Sequence, residues 1–119
     1  MPKLTRGEVT KLTFNVKIAN AKNTLHIECV DLRGADLRGI DLSYLDLRKA
    51  KLHGADLTGA NLTKADLGFP YLKGANLSGA NLLFIKIFNA KLSGVDLRGT
   101  NLSGAGLEKL IGLPDRLLP

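Results

Sequence analysis

The chain has 119 residues, enough for one domain and too few for two ordinary ones. It is 45% apolar, which excludes a disordered chain, and only 5% aromatic, which argues against a core built on large rings. Seventeen Lys and Arg against eleven Asp and Glu give a net charge of +6. No apolar run reaches the ~18 residues of a membrane span. The charged stretch Met1 to Glu8 precedes no apolar segment, so no signal peptide is expected. A single cysteine cannot close an internal disulfide, which fits a reducing, cytoplasmic setting.

Near the N-terminus, Leu12, Phe14, Val16 and Ile18 alternate with polar residues, the mark of a half-buried strand. Leu25-His26-Ile27-Glu28-Cys29 then has Ile27 where later units carry leucine. Residues 1–29 are therefore expected to form a capping segment, a strand plus an irregular first layer covering one open end.

From Val30 to Lys109 the chain reads as sixteen consecutive five-residue units without an insertion. Leucine is central in fifteen and Ile87 in the other. Two residues before the centre stands a small or aliphatic residue, most often alanine. The position just before the centre is Asp in seven units and Asn in four. A period of five is neither 3.6 nor 2. An α-helix would scatter these leucines around its circumference, and a flat strand would send successive ones to opposite faces. A chain that turns a corner once per unit keeps the leucine and the residue two before it inward. The other three positions then face water.

The pattern Ala-(Asp/Asn)-Leu-x-x over residues 30–109 resembles the pentapeptide repeat family. The resemblance implies an all-β fold, a right-handed quadrilateral parallel β-helix with four units per coil. Sixteen units then make about four regular coils, roughly 19 Å tall. Residues twenty apart should stack. Gly34, Gly54, Gly74 and Gly94 form one corner column, and Gly39, Gly59, Gly79 and Gly99 a second. The other two hold Tyr44, Lys64, Phe84, Gly104 and Lys49, Phe69, Asn89, Lys109, which suggests two corners of one turn type and two of another. Leu45, Ala65, Ile85 and Ala105 alternate large and small along one inward face, so that layers interlock. Pro70 interrupts the hydrogen bonding locally because it has no N–H. Residues 110–119 are expected to close the other end as a short helical C-terminal cap.

No catalytic or metal-binding constellation is expected, and no cofactor. Asp36, Asp56 and Asp96 share an outward column, but Asp and Asn before a turn bond the local backbone. His26 and His53 lack partners at ligand spacing, and Cys29 reads as a small filler. One face is basic: Arg33, Lys51, His53, Tyr71, Lys73 and Lys91 are its candidate binding residues. A second candidate surface is apolar in outward slots and comprises Tyr44, Phe69, Leu83, Phe84 and Phe88. A third, Leu110, Ile111 and Leu113, offers a homodimer contact at the C-terminal end.

The leading functional expectation is a non-enzymatic structural or interaction module that presents flat faces to a protein partner. The alternative is a binder of an anionic polymer, nucleic acid or an acidic surface, through the basic face. Some members of the resembled family bind topoisomerases such as DNA gyrase by imitating duplex DNA. That imitation calls for an acidic surface, and eleven basic against eight acidic residues in residues 30–109 oppose it.

Overall fold

The computed structural model describes residues 5–10, 31–68, 71–89, 92 and 94–108. Its organising element is the pairing of residues twenty apart. Isolated parallel bridges join Asp31 to Lys51 and Lys51 to Tyr71, then Asp36 to Asp56, Asp56 to Asn76 and Asn76 to Asp96. Two further columns run Asp41, Asn61, Asn81, Asn101 and Asp46, Asp66, Lys86. Four ladders, spaced five residues apart in sequence, thus run along the stack as a β-helical solenoid. One ladder widens where β1 (Lys86–Phe88) pairs in parallel with β2 (Gly106–Glu108), Ile87 opposite Leu107. Ile87 and Phe88 are residue types that favour extended backbone, which suits this widening.

The same bonds recur through most of the described units. The leucine N–H donates to the next coil (Leu32 to the Lys51 carbonyl, 2.8 Å), and so does the corner N–H two residues on (Gly34 to His53, 2.9 Å). Within the unit, the leucine carbonyl accepts from the residue three along, as between Leu32 and Ala35 at 3.1 Å. That bond closes a turn whose second central residue has positive φ, the type II pattern.

All four corner columns use this turn, which corrects the expectation of two turn types. Tyr44, Lys49, Lys64, Phe84 and Asn89 have φ between 54° and 65°, like the glycines at 65° to 76°. At Lys49, Lys64 and Phe84 the closing hydrogen bond holds this conformation, and each non-glycine corner adopts it at a cost of about 1–2 kcal/mol.

The core is the set of inward columns. Leu42, Leu62 and Leu82 are buried, as are Leu37, Leu57, Leu77 and Leu97. Leu45, Ala65 and Ile85 are likewise buried, with Ala105 partly buried against the same core. Leu102 and Ala105 are only half-buried.

The sequence reading did not name the helical turn at residues 6–10. Thr5 Oγ1 accepts from the Glu8 N–H at 3.2 Å, and Glu8 Oε1 accepts from the Thr5 N–H at 3.0 Å. This reciprocal capping pair satisfies two N-terminal donors. It holds the Glu8 carboxyl below its ordinary range, chiefly through the Thr5 backbone bond. Val9 inserts into the leucine core, and Arg6 donates to the Asp36 carbonyl at 3.2 Å. Thr5→Ala should lower stability by about 1 kcal/mol in a denaturant melt. The proposed strand over residues 12–18, the Pro70 irregularity and the C-terminal cap lie outside the described residues.

Candidate functional site

The Asp and Asn columns are built into the turns. In every described unit that carries one, the side-chain oxygen accepts from the N–H two residues on. Examples are Asp41 with Ser43 (3.0 Å), Asn61 with Thr63 (3.1 Å) and Asn76 with Ser78 (2.9 Å). Four Asp-Leu-Arg units add a guanidinium to the same carboxylate. The pairs are Asp31–Arg33 (2.7 Å), Asp36–Arg38 (2.8 Å), Asp46–Arg48 (2.7 Å) and Asp96–Arg98 (2.6 Å).

These bonds hold the Asp31 and Asp36 carboxyls well below the ordinary range, with the arginine side-chain bonds the largest cause. Asp56 is lowered as well, first by the Thr58 hydroxyl and then by the Thr58 N–H. A column of carboxylates held ionised and bonded has the opposite of the raised pKa that a general acid needs. Among the described residues no group of three His, Cys, Asp or Glu side chains is gathered for a metal ion.

The same geometry divides the cations. Every described arginine, including Arg6 at 3.6 Å from Asp36, lies within ion-pair distance of an aspartate. Among the described residues, Lys49, Lys51, Lys64, Lys73 and Lys86 have no carboxylate within 4.0 Å. Counting residues could not separate the two. The signal was Asp and Arg two apart, both facing outward across one turn.

On the basic face, Arg33 is therefore tied to the buried Asp31, and the unpaired charge belongs to Lys51 and Lys73. Between them the His53 and Tyr71 rings stack, centroids 5.5 Å apart and planes within 20°. Tyr71 remains 49% exposed. His53 Nδ1 is shielded from solvent and has no hydrogen-bond partner. Lys91 lies outside the described residues.

On the apolar surface, Tyr44 and Phe84 stand one coil either side of Lys64. The Lys64 ammonium is 5.5 Å from the Tyr44 ring centroid and 5.8 Å from that of Phe84. Tyr44 is 68% and Phe84 54% exposed, so the three form an outward ridge along one corner. Phe84 also lies over Gly104, and Phe88 differs in being less exposed. Its ring covers Gly68, where any Cβ would overlap it, and it is half-buried. Leu83 is also half-buried. Phe69, Leu110, Ile111 and Leu113 lie outside the described residues. The sequence reading grouped the aromatics but missed Lys64 between them, although all three share the twenty-residue column.

The family model for pentapeptide repeats matches eight copies, over residues 31–68, 71–104 and 87–109. Among solved structures, the chain is similar to HetL, a pentapeptide repeat protein involved in heterocyst differentiation regulation in the cyanobacterium Nostoc sp. strain PCC 7120. The TM-score is 0.74 at 36% identity, over 84% of this chain and 45% of HetL. The chain thus spans less than half the length of that protein. It is also similar to a pentapeptide repeat protein of the Arabidopsis thaliana thylakoid lumen, at 31% identity and TM-score 0.43, over 76% of this chain and 70% of the other. A third, from the cyanobacterium Cyanothece 51142, gives 36% identity and TM-score 0.37, over 71% and 58%. No curated protein matches.

Proposed function

The chain belongs to the pentapeptide repeat family, and from that premise we propose that it is a non-enzymatic interaction module that docks a protein partner on the Tyr44–Lys64–Phe84 ridge. The observation that carries this is strain without burial. Tyr44 and Phe84 sit at φ 65° and 54°, a conformation that glycine adopts freely, yet both rings remain mostly exposed. Each pays about 1–2 kcal/mol of backbone strain and recovers about 0.5–1 kcal/mol from the lysine between them. Strain kept where it does not serve the core points to function. Exposed aromatics flanking a cation supply both apolar area and a charge anchor, as interface centres do.

The partner is one that offers an acidic group to Lys64 and apolar groups to the two rings. A second copy fits this ridge poorly, because a twofold contact centred there brings Lys64 against Lys64. Homodimerisation is instead assigned to Leu110, Ile111 and Leu113. Deletion of residues 110–119 should then convert a dimer to a monomer in light scattering. The finer architecture proposed is the right-handed, four-sided stack of about four coils, capped by residues 1–29 and 110–119. Among the described residues no helix is long and apolar enough to cross a membrane, and a cytoplasmic site is part of the proposal. Gyrase modulation by duplex imitation is disfavoured, because the net charge of +6 is the opposite of an acidic, DNA-like surface.

Tyr44→Gly with Phe84→Gly tests the ridge, and in the stack it removes the packing of the Phe84 ring over Gly104. Glycine already fills the equivalent corner at Gly104, φ 71°. The melting temperature should stay within about 4 °C of the parent or rise. Affinity capture from nuclease-treated host extract should lose its protein partner. Capture that persists in the double variant would move the contact elsewhere. Capture of nothing by the parent chain would overturn the reading.

A further inference from the structure

A different surface carries a second activity, independent of the ridge. We propose that the ladder face centred on Tyr71 binds single-stranded nucleic acid, with a base on the Tyr71 ring and phosphates on Lys49, Lys51 and Lys73. Three observations converge on this face. Bridges run from Asp31 to Lys51 and from Lys51 to Tyr71, so these side chains lie in one column of a flat surface. Lys49 precedes Lys51 at the adjoining corner, and Lys73 follows Tyr71. Among the described residues none of the three lysines has a carboxylate within 4.0 Å, whereas Arg33 on the same face is committed to Asp31 at 2.7 Å. The cations left free are thus compact ammonium groups suited to phosphate rather than to a structural carboxylate.

The second observation is the ring pair. His53 supports Tyr71 from the neighbouring coil, 5.5 Å away and nearly parallel. The pair is held by the solenoid backbone, with the Leu52 N–H donating to the Tyr71 carbonyl at 2.8 Å and the Gly54 N–H to Lys73 at 2.9 Å. The backbone thus places the two rings side by side, and stacking on His53 orients the Tyr71 ring. A pre-oriented aromatic loses little entropy when a base stacks on it.

The third observation is the corner beside the face. Gly54, Gly74 and Gly94 occupy it, and no side chain stands there to keep a polymer off the lysines. Positive charge around an exposed stacking platform is the combination by which proteins bind single strands without reading their sequence. Duplexes hide their base faces, so on a duplex the Tyr71 ring has nothing to stack on. The ring, rather than the charge, should set the preference.

The test uses the full chain and three probes in fluorescence anisotropy: a labelled thymidine oligonucleotide of about twelve nucleotides, a duplex of equal length, and heparin as competitor. Single strand should bind more tightly than duplex, despite the higher charge density of the duplex. The slope of log K against log salt should be about −2, the value for three phosphate contacts to a single strand. Tyr71→Ala should weaken single-strand binding about tenfold and leave duplex binding unchanged, while Tyr71→Phe retains it. Lys51→Ala with Lys73→Ala should flatten the slope to about −0.7. These side chains are exposed, and an unchanged melting curve for each variant secures the comparison. No binding of the oligonucleotide near 20 mM salt would overturn the proposal. So would duplex or heparin binding equal to or tighter than single strand with Tyr71→Ala silent, which would leave only non-specific polyanion attraction.

Discussion

Leu62→Asp should abolish the folded state. Leu62 is 1% exposed, and its stacking neighbours Leu42 and Leu82 are fully buried, so an aspartate there meets hydrocarbon above and below. The loss begins with the leucine itself, about 1.5–3 kcal/mol of burial. An unpaired carboxylate in such a site adds several kcal/mol more, or is neutralised at nearly the same expense. Ordinary domains are stable by only about 5–15 kcal/mol. A solenoid also has no second core to fall back on, because each layer contacts only its neighbours. Breaking the layer around Leu62 separates the residues before it from those after it. Circular dichroism should show loss of β signal at room temperature. Leu62→Ala should remain folded but weaker by about 2–5 kcal/mol, which grades the effect. Lys64→Ala, two residues away and outward, should melt much as the parent does. A normal melt for Leu62→Asp would mean that the leucine columns do not point inward.

That inward assignment was legible in the sequence because burial and register share one period. Fifteen leucines five residues apart admit only a chain that turns once per unit, and the twenty-residue recurrence of glycine supplied the stacking. The corner conformation was not legible. Glycine advertises positive φ, whereas Lys64 and Phe84 adopt the same φ because the turn bond around them demands it, and Tyr44 shares it at the same corner. A residue type that resists a conformation gives no hint that it occupies it. The helical turn at residues 6–10 was legible in Thr5-Arg6-Gly7-Glu8 but sat in a stretch read only for charge. The candidate surfaces were half legible. Face membership followed from the stacking register, so Arg33, Lys51, His53, Tyr71 and Lys73 were grouped as neighbours. Which charges stay available depends on side-chain reach across a turn. The Asp–Arg pairs removed Arg33 from the basic face, and stacking joined His53 to Tyr71. Phe88 was read as outward, yet its ring covers Gly68, because a glycine one coil away leaves a hollow that only the stacked structure reveals.

Acidification should weaken the fold in a way the Asp–Arg pairs control. The Asp31, Asp36 and Asp56 carboxyls are lowered in the folded chain, so protons bind the unfolded chain more readily. Their contribution is therefore fully present above the ordinary carboxyl value of about 3.9 and is lost as pH falls through the lowered values. The melting temperature should be flat from about pH 7 to pH 5 and should fall below about pH 4. Not every bond of these aspartates is at risk. Asn61 and Asn76 make the same side-chain bond to the turn N–H without a charge, at 3.1 and 2.9 Å. Protonated aspartates can keep that bond, so what acid removes is the guanidinium contact. Both guanidiniums face solvent and so does Asp36, whereas Asp31 is buried, so salt should shrink the effect, chiefly at Asp36–Arg38. General charge repulsion also grows in acid, since seventeen cationic side chains then stand against few anions. Asp31→Asn with Asp36→Asn separates the two contributions. The double variant preserves the turns and loses two of the titrating carboxylates. Its melting temperature should be lower than the parent's at pH 7 and should decline less between pH 4 and pH 2. A double variant with the parent's full acid decline would assign the loss to repulsion alone and remove the pairs from the account.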